Sequence, residues 1–309
     1  MMFVRKGAPS LLRAIFLASA VALGTGSLAS VVRAEPAAAV SAFTSGRLSV
    51  EVAGQGPDVI LIPGLASSRE VWRATADRLK ATHTVHLVQL AGFAGEPWSH
   101  GEGAFVQPEV DALARYIQEA GLTRPAVVGH SLGGLSGLLL AQQHPGLVGR
   151  LMTVDSLPFY SAMFGPTATV ESAGPFAERA AAMIVGADEA TYRTQQEATA
   201  RMLSRTPAEQ TRIVAWSMAS DRQATASAMK DVMTIDARPA LMTMTTPVTA
   251  LYAADADGGA PAAMADALWG REYAPLPDAA LIRVDGSRHF IMADQPERFA
   301  GLLDAFLAD

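Results

Sequence analysis

"AVVGHSLGGLSG", residues Ala126–Gly137, sets Ser131 among glycines at the junction of two apolar segments. The run before it, Pro125 to Ser131, is short and continuously apolar, as in a strand covered on both faces, and the segment from Gly133 to His144 reads as a helix. A strand that turns at once into a helix forces the corner residue into strained backbone angles and leaves no room for side chains beside it. Gly129 and Gly133 meet that demand in Gly129-His130-Ser131-Leu132-Gly133. Such a corner lifts the Ser131 hydroxyl above the sheet and puts the Leu132 amide at a helix N-terminus, where negative charge is favoured. Taken by themselves, the five residues also fit a plain glycine-rich turn; the strand before and the helix after them separate the two readings.

The same alternation runs outward in both directions. "RLSVEVAG" (Arg47–Gly54) has the two-residue period of a half-buried strand. "DVILIPG" (Asp58–Gly64), "VHLVQLAG" (Val85–Gly92), "LMTVDS" (Leu151–Ser156), "VTALYAA" (Val248–Ala254) and "ALIRVDG" (Ala280–Gly286) read as buried strands. Helical stretches separate most of them: Arg69 to Lys80, Pro108 to Ala120, Pro261 to Trp269, and Gln295 to Leu307. Strands alternating with helices predict a doubly wound, mostly parallel α/β sheet. From Leu157 to about Thr245 no strand is legible, and four amphipathic helices follow one another, opening at "PFAERAAAMIV" (from Pro175), "ATYRTQQEATARML", "PAEQTRIVAWSMA" and "RQATASAMKDVM", which predicts a helical cap over the carboxyl end of the sheet.

The chain has 309 residues, half of them hydrophobic and 17% charged, enough for one large domain with its own core and too apolar for a disordered chain. Residues 1–34 carry Arg5, Lys6 and Arg13, then an apolar run to about Leu28, then Val32-Arg33-Ala34, the layout of a secretory signal peptide cut after Ala34. An uncleaved anchor is the rival, but Gly24 to Ser27 interrupt the run before the ~20 apolar residues a span requires. An Ala-rich spacer (35–46) would then lead into the folded domain (47–309), with the cap at about 157–245. Removing Arg5, Lys6, Arg13 and Arg33 takes four of 24 basic residues and none of 30 acidic ones, moving the net charge from −6 to −10. An acidic surface argues against nucleic acid and anionic membrane as partners. There is no cysteine, which excludes disulfides and a thiol nucleophile.

With its Gly-His-Ser-Leu-Gly corner, the chain resembles the α/β-hydrolase family from Arg47 to Leu307. In that family the triad follows the order serine, acid, histidine, which implies a histidine after the last strand. His289 stands there, in Ser287-Arg288-His289-Phe290 ahead of Asp294-Gln295-Pro296-Glu297, near the Gly-His and Gln-Pro-Glu segments common in the family. The family's usual acid follows the strand at Pro247–Ala254. This chain has Ala253-Ala254-Asp255-Ala256-Asp257 there and lacks the customary glycine, so the order of candidates is Asp255, then Asp257, then Asp155, one strand earlier, where a minority of the family places it. Any of the three also fits a loop-capping aspartate. The resemblance implies oxyanion donors at the amides of Leu132 and Leu65. Pro63-Gly64-Leu65 replaces the family's His-Gly, and a generic turn is the other reading of it.

What the resemblance implies is hydrolysis of a small acyl substrate, a carboxylic ester first, through an acyl-enzyme. A serine at the corner sets aside the relatives that use aspartate (haloalkane dehalogenases, epoxide hydrolases) or cysteine (dienelactone hydrolases). No metal or nucleotide motif is present in the mature chain, and no cofactor is implied. His83 and His86, three apart, would face opposite sides of a strand and make a poor metal pair. "LPFYSAMF" offers Phe159, Tyr160, Met163 and Phe164 as an apolar substrate pocket, or as ordinary packing between cap and sheet. An exopeptidase of the proline iminopeptidase type is the alternative, with Glu171, Glu178, Asp188 and Glu189 as an amine-binding cluster; a non-catalytic binding protein of the same fold is a third. The exported protein is expected to begin at Glu35, and its intact mass checks this; an N-terminus at Met1 in a membrane fraction would refute it.

Overall fold

The computed structural model describes residues 43–308; the expected signal peptide and residues 35–42 of the expected spacer lie outside the described residues. The chain runs β1 (Phe43–Thr44), β2 (Leu48–Gly54), β3 (Asp58–Ile62), α1 (Arg73–Leu79), β4 (Thr84–Leu90), α2 (Val106–Glu119), β5 (Ala126–His130), α3 (Leu132–Gln143) and β6 (Arg150–Val154). Four helices follow, α4 (Val170–Gly186), α5 (Glu189–Leu203), α6 (Pro207–Ala219) and α7 (Arg222–Thr234), then the short α8 (Arg238–Leu241). β7 (Val248–Ala254), α9 (Ala262–Tyr273), β8 (Ala280–Asp285), the short α10 (Ile291–Asp294) and α11 (Pro296–Ala308) complete it.

The strands form one eight-stranded sheet in the order β1-β2-β4-β3-β5-β6-β7-β8. β1–β2 and β2–β4 are antiparallel and every other pair is parallel. All seven strands read from the sequence are present. β1 is additional: it pairs Phe43 with Val50, so the fold begins inside the segment read as spacer, too briefly for any period to show.

Both sheet faces are covered, which is why the central strands are continuously apolar. Ile60, Ile62, Val127 and Leu151 point into one core with α2, α3 and α9. Val59, Leu61, Val128, Met152 and Val154 point into the other with α1 and α11. The helical insertion between β6 and β7 carries all four helices expected of the cap. α4 starts at Val170 rather than near Pro175, because Thr169 and Ser172 form a reciprocal capping box five residues earlier, with Pro175 inside the helix. The insertion meets the carboxyl edge through Asp221 N–H to Gly92 O (2.7 Å) and Gly95 N–H to Ala219 O (3.1 Å). Among the described residues no helix is long and apolar enough to cross a membrane.

Beneath α3 lies a buried acid. Glu109 on α2 is 1% exposed; its Oε2 accepts from Ser136 Oγ at 2.9 Å while Oε1 has no partner. Burial, only partly opposed by the Ser136 hydrogen bond, pushes its carboxyl up from 4.5 to about 8. Between those values the folded protein keeps a proton that the unfolded chain gives up, so stability falls as pH rises across the window, by at most about 1.4 kcal/mol per pH unit. Glu109→Gln should therefore be more stable than the parent at pH 8, with the gain shrinking towards pH 4.5. Urea unfolding at several pH values checks it; a gain independent of pH would exclude Glu109 as the source.

Candidate active site

Ser131 sits at the corner between β5 and α3 with φ 54° and ψ −120°, a conformation that side-chain-bearing residues rarely hold. The surrounding glycines make it possible. A Cβ on Gly129 would lie 2.1 Å from the Gly133 carbonyl oxygen, and one on Gly133 would lie 2.6 Å from the carbonyl oxygens of Ile62 and Pro63. Gly134 extends the requirement, since its Cβ would meet Ser156 at 2.6 Å. Helix and sheet are thus in backbone contact around the serine.

Asp155 follows the end of β6, the strand beside β5. Its N–H donates to Leu251 O (2.8 Å). Its backbone too is left-handed, with φ 48°. One carboxylate oxygen accepts from Ala253 N–H (2.9 Å) and the other from His289 Nδ1 (2.7 Å). Asp155 and His289 are 12% and 24% exposed, so the pair is shielded without being sealed. With Nδ1 bound to the carboxylate, Nε2 is the nitrogen free to take a proton. On either side of Asp155, the buried Tyr273 hydroxyl bonds Thr153 Oγ1 (3.0 Å) and donates to Ser156 O (2.8 Å).

The carboxylate beside His289 is Asp155, the third of the three candidates read from the sequence, and not Asp255 or Asp257. Asp255 is turned away: its Oδ1 accepts from Arg205 (2.6 Å) and its Oδ2 from Arg288 (2.8 Å). Burial pushes its carboxyl up, but the Arg288 hydrogen bond and the two guanidinium charges outweigh this and leave it below the usual carboxylate range. Asp257 is exposed, 3.9 Å from Arg205.

The turn after β3 lies against the corner. A Cβ on Gly64 would come within 3.1 Å of Ser131 Cβ. Among the hydrogen bonds of the described residues, neither the Leu65 nor the Leu132 amide donates, so both are available to an anion near Ser131.

Of the residues read as a pocket, Phe159 is fully buried among Ala162 and Ala173 with the Arg238 guanidinium 4.4 Å from its ring centre. It is core packing and not pocket wall. Tyr160 is half-buried, and Met163 and Phe164 are 55% and 67% exposed. The four acids weighed as an amine site are exposed, and three of them are otherwise engaged: Glu178 pairs with Lys230 (2.7 Å), Glu189 with Arg193 (3.5 Å) and Asp188 caps α5, while Glu171 lies in the first turn of α4. Among the described residues no three His, Asp or Glu side chains are placed to hold a metal ion. His86 is buried between Tyr116 Oη (2.5 Å) and Asp58 (3.0 Å), and His100 donates to Gly46 O (2.9 Å).

Nothing in the sequence singles out His130, which stands at the variable position of the Gly129–Gly133 corner. Its ring is 1% exposed and packs 4.5 Å from the His289 ring, and its Nε2–H donates to the His289 carbonyl (3.0 Å). Burial, and then the proximity of His289, push its pKa well below 6.5, so it is a neutral imidazole bracing the other one.

Known proteins resemble this chain in sequence or in fold. Pimeloyl-[acyl-carrier protein] methyl ester esterases of Vibrio atlanticus and Aeromonas hydrophila are 34% and 36% identical over 115 and 116 residues, 37% of this chain in each case. Those matches cover 42% and 44% of the two esterases, less than half of their length. Among solved structures, a hydrolase from Pseudomonas aeruginosa PA01 superposes with TM-score 0.72 at 19% identity, covering 89% of this chain and all of that one. The enol-lactonase from Burkholderia xenovorans LB400 gives 0.69 at 17% identity, covering 85% and 96%. These likenesses show the fold. The model of the alpha/beta hydrolase family matches residues 59–302, most of the chain, and it is to that family that this protein belongs.

Proposed function

We propose that this protein hydrolyses carboxylic esters of small molecules through an acyl-enzyme on Ser131. The observation that carries the reading is the left-handed Ser131 at the corner together with the 2.7 Å contact between His289 Nδ1 and Asp155. His289 Nε2 takes the proton of Ser131 Oγ as that oxygen bonds to the substrate carbonyl carbon, and the Leu65 and Leu132 amides hold the oxyanion. Collapse breaks the bond to the alcohol, which leaves with the proton from His289. Water then attacks the acyl group, giving its own proton to Nε2, and Ser131 recovers its proton as the acid departs. Asp155 holds the imidazole in the tautomer with hydrogen on Nδ1 and stabilises its charged form.

The relatives support the substrate class: a methyl ester esterase in one case and an enol-lactonase in the other, both cleaving acyl–oxygen bonds. Tyr160, Met163 and Phe164, which follow Asp155 closely in the chain, favour an apolar acyl or alcohol portion. The pairing of Glu178 with Lys230 and of Glu189 with Arg193, and the use of Asp188 as a helix cap, speak against the exopeptidase alternative.

Ser131→Ala should fold and lose both fluorophosphonate labelling and hydrolysis of p-nitrophenyl esters; full labelling of that variant would sink the assignment. Asp155→Asn should cut turnover by roughly 10³ to 10⁴, because asparagine favours the wrong tautomer of His289. Asp255→Asn, which leaves the imidazole's partner in place, should lose at most about tenfold. Rates of both variants on one ester at one pH decide between the two acids, and a collapsed rate for Asp255→Asn with a near-normal one for Asp155→Asn would move the role to Asp255.

A further inference from the structure

The residues flanking His289 are held by the helical insertion. Phe290 N–H donates to Leu203 O, at the end of α5, at 3.0 Å. Arg288 N–H donates to Asp294 Oδ2 (2.9 Å), and the other oxygen of Asp294 accepts from Ser204 Oγ (2.6 Å), Arg205 N–H (2.9 Å) and Thr206 Oγ1 (3.0 Å), all in the turn between α5 and α6. The Arg288 guanidinium reaches the Arg201 carbonyl on α5 and bonds Asp255. Asp255, 5% exposed in its side chain, thus stands between a guanidinium from the insertion, Arg205, and one from the residue before His289.

We infer that this clasp, Arg205–Asp255–Arg288 with Asp294 beneath it, makes the α5–α6 turn a fixed positioning element for His289 and not part of a movable lid. The inference rests on the proposed role of His289 as the base, and it goes further by assigning a positioning residue, Arg205, within the insertion. An imidazole must meet both Asp155 and the serine, so its backbone has to be fixed to a fraction of an ångström. His289 contributes one backbone contact of its own, its carbonyl to His130 Nε2, while the amides on either side are fixed through α5 and Asp294. Freeing the turn frees both amides. Substrate admission then falls to other parts of the insertion, since separating this turn from the sheet would break the Arg205–Asp255 ion pair and the bonds from Ser204, Arg205 and Thr206 to Asp294 together.

The test uses the full chain with Arg205→Met and Arg205→Lys, read by turnover on a p-nitrophenyl ester, by the rate of fluorophosphonate labelling, and by backbone hydrogen exchange at Phe290. Arg205→Met is expected to lower kcat and the labelling rate together by about tenfold with KM nearly unchanged, and to speed exchange at Phe290 by about tenfold. Arg205→Lys, which retains a cation and a donor for Asp255, is expected to restore most of both. Unchanged kcat, labelling and exchange in folded Arg205→Met would overturn the inference, as would a lowered Tm with kcat intact. Should Arg205→Met not fold, Arg205→Gln is judged by the same outcomes. A parent protein that takes no label at all would instead refute the role of Ser131, while exchange at Phe290 would still report on the clasp.

Discussion

Backbone contact between the start of α3 and the central sheet is the constraint on which the site depends. A Cβ on Gly129 would lie 2.1 Å from the Gly133 carbonyl oxygen, so no other residue fits there, and α3 lies against β5 backbone to backbone. Three consequences follow from that one contact. Ser131 is forced to φ 54°, the Leu132 amide is stripped of a partner, and the carbonyl oxygens of Ile62 and Pro63 are drawn up to Gly133, which brings the Leu65 turn beside the serine. Strain of this kind, of order 1–3 kcal/mol per residue, persists only where the surroundings over-determine it. Here two parallel neighbours of β5 and the backbone bond from Ser131 N–H to Val154 O supply that determination.

The acid shows what a parallel sheet leaves open. β6 and β7 are adjacent, and their carboxyl ends come to the same edge, so an aspartate after either strand lies within reach of a histidine loop following β8. Family habit and spacing pointed to Asp255, and both were indifferent to what else competes for a carboxylate. Arg288 precedes His289 directly and Arg205 opens the α5–α6 turn; together they hold both oxygens of Asp255. Asp155 has no guanidinium partner among the described residues, and its second oxygen is satisfied by the Ala253 amide. A cation adjoining the histidine was visible in the sequence as a sign that a nearby acid would be taken up, but its partner across some thirty residues was not.

Elements with strong local signals were legible, and those that depend on distant partners were not. The seven longer strands follow from apolar runs and the four insertion helices from their apolar period, because burial on two faces or on one writes a pattern into a contiguous stretch. β1 has two residues and owes its existence to pairing with β2. The early start of α4 came from a capping box whose Thr169 and Ser172 were outweighed by the proline at 175. Ser131 and His289 could be singled out because chain order and turn chemistry are local, whereas the bracing of His289 by His130, Leu203 and Asp294 is created by folding.

Charge at the carboxyl edge is divided so that the two neighbouring aspartates do not compete. Two free carboxylates on adjacent strands would offer the imidazole two acceptors and so no single defined orientation. The paired guanidinium groups of Arg205 and Arg288 neutralise Asp255 and tie it to the insertion, so the anion that the imidazole meets is Asp155. Direction then comes from geometry: Asp155 is pinned by the Ala253 amide, and the carbonyl after it by Tyr273. One ring nitrogen is thereby committed, and the other has no partner among the hydrogen bonds of the described residues. The glycine corner, Asp155 and the clasped insertion are in this sense one arrangement: Asp255 is taken up by two guanidinium groups, Asp155 by the Ala253 amide and one imidazole nitrogen, and His289 keeps its other nitrogen free.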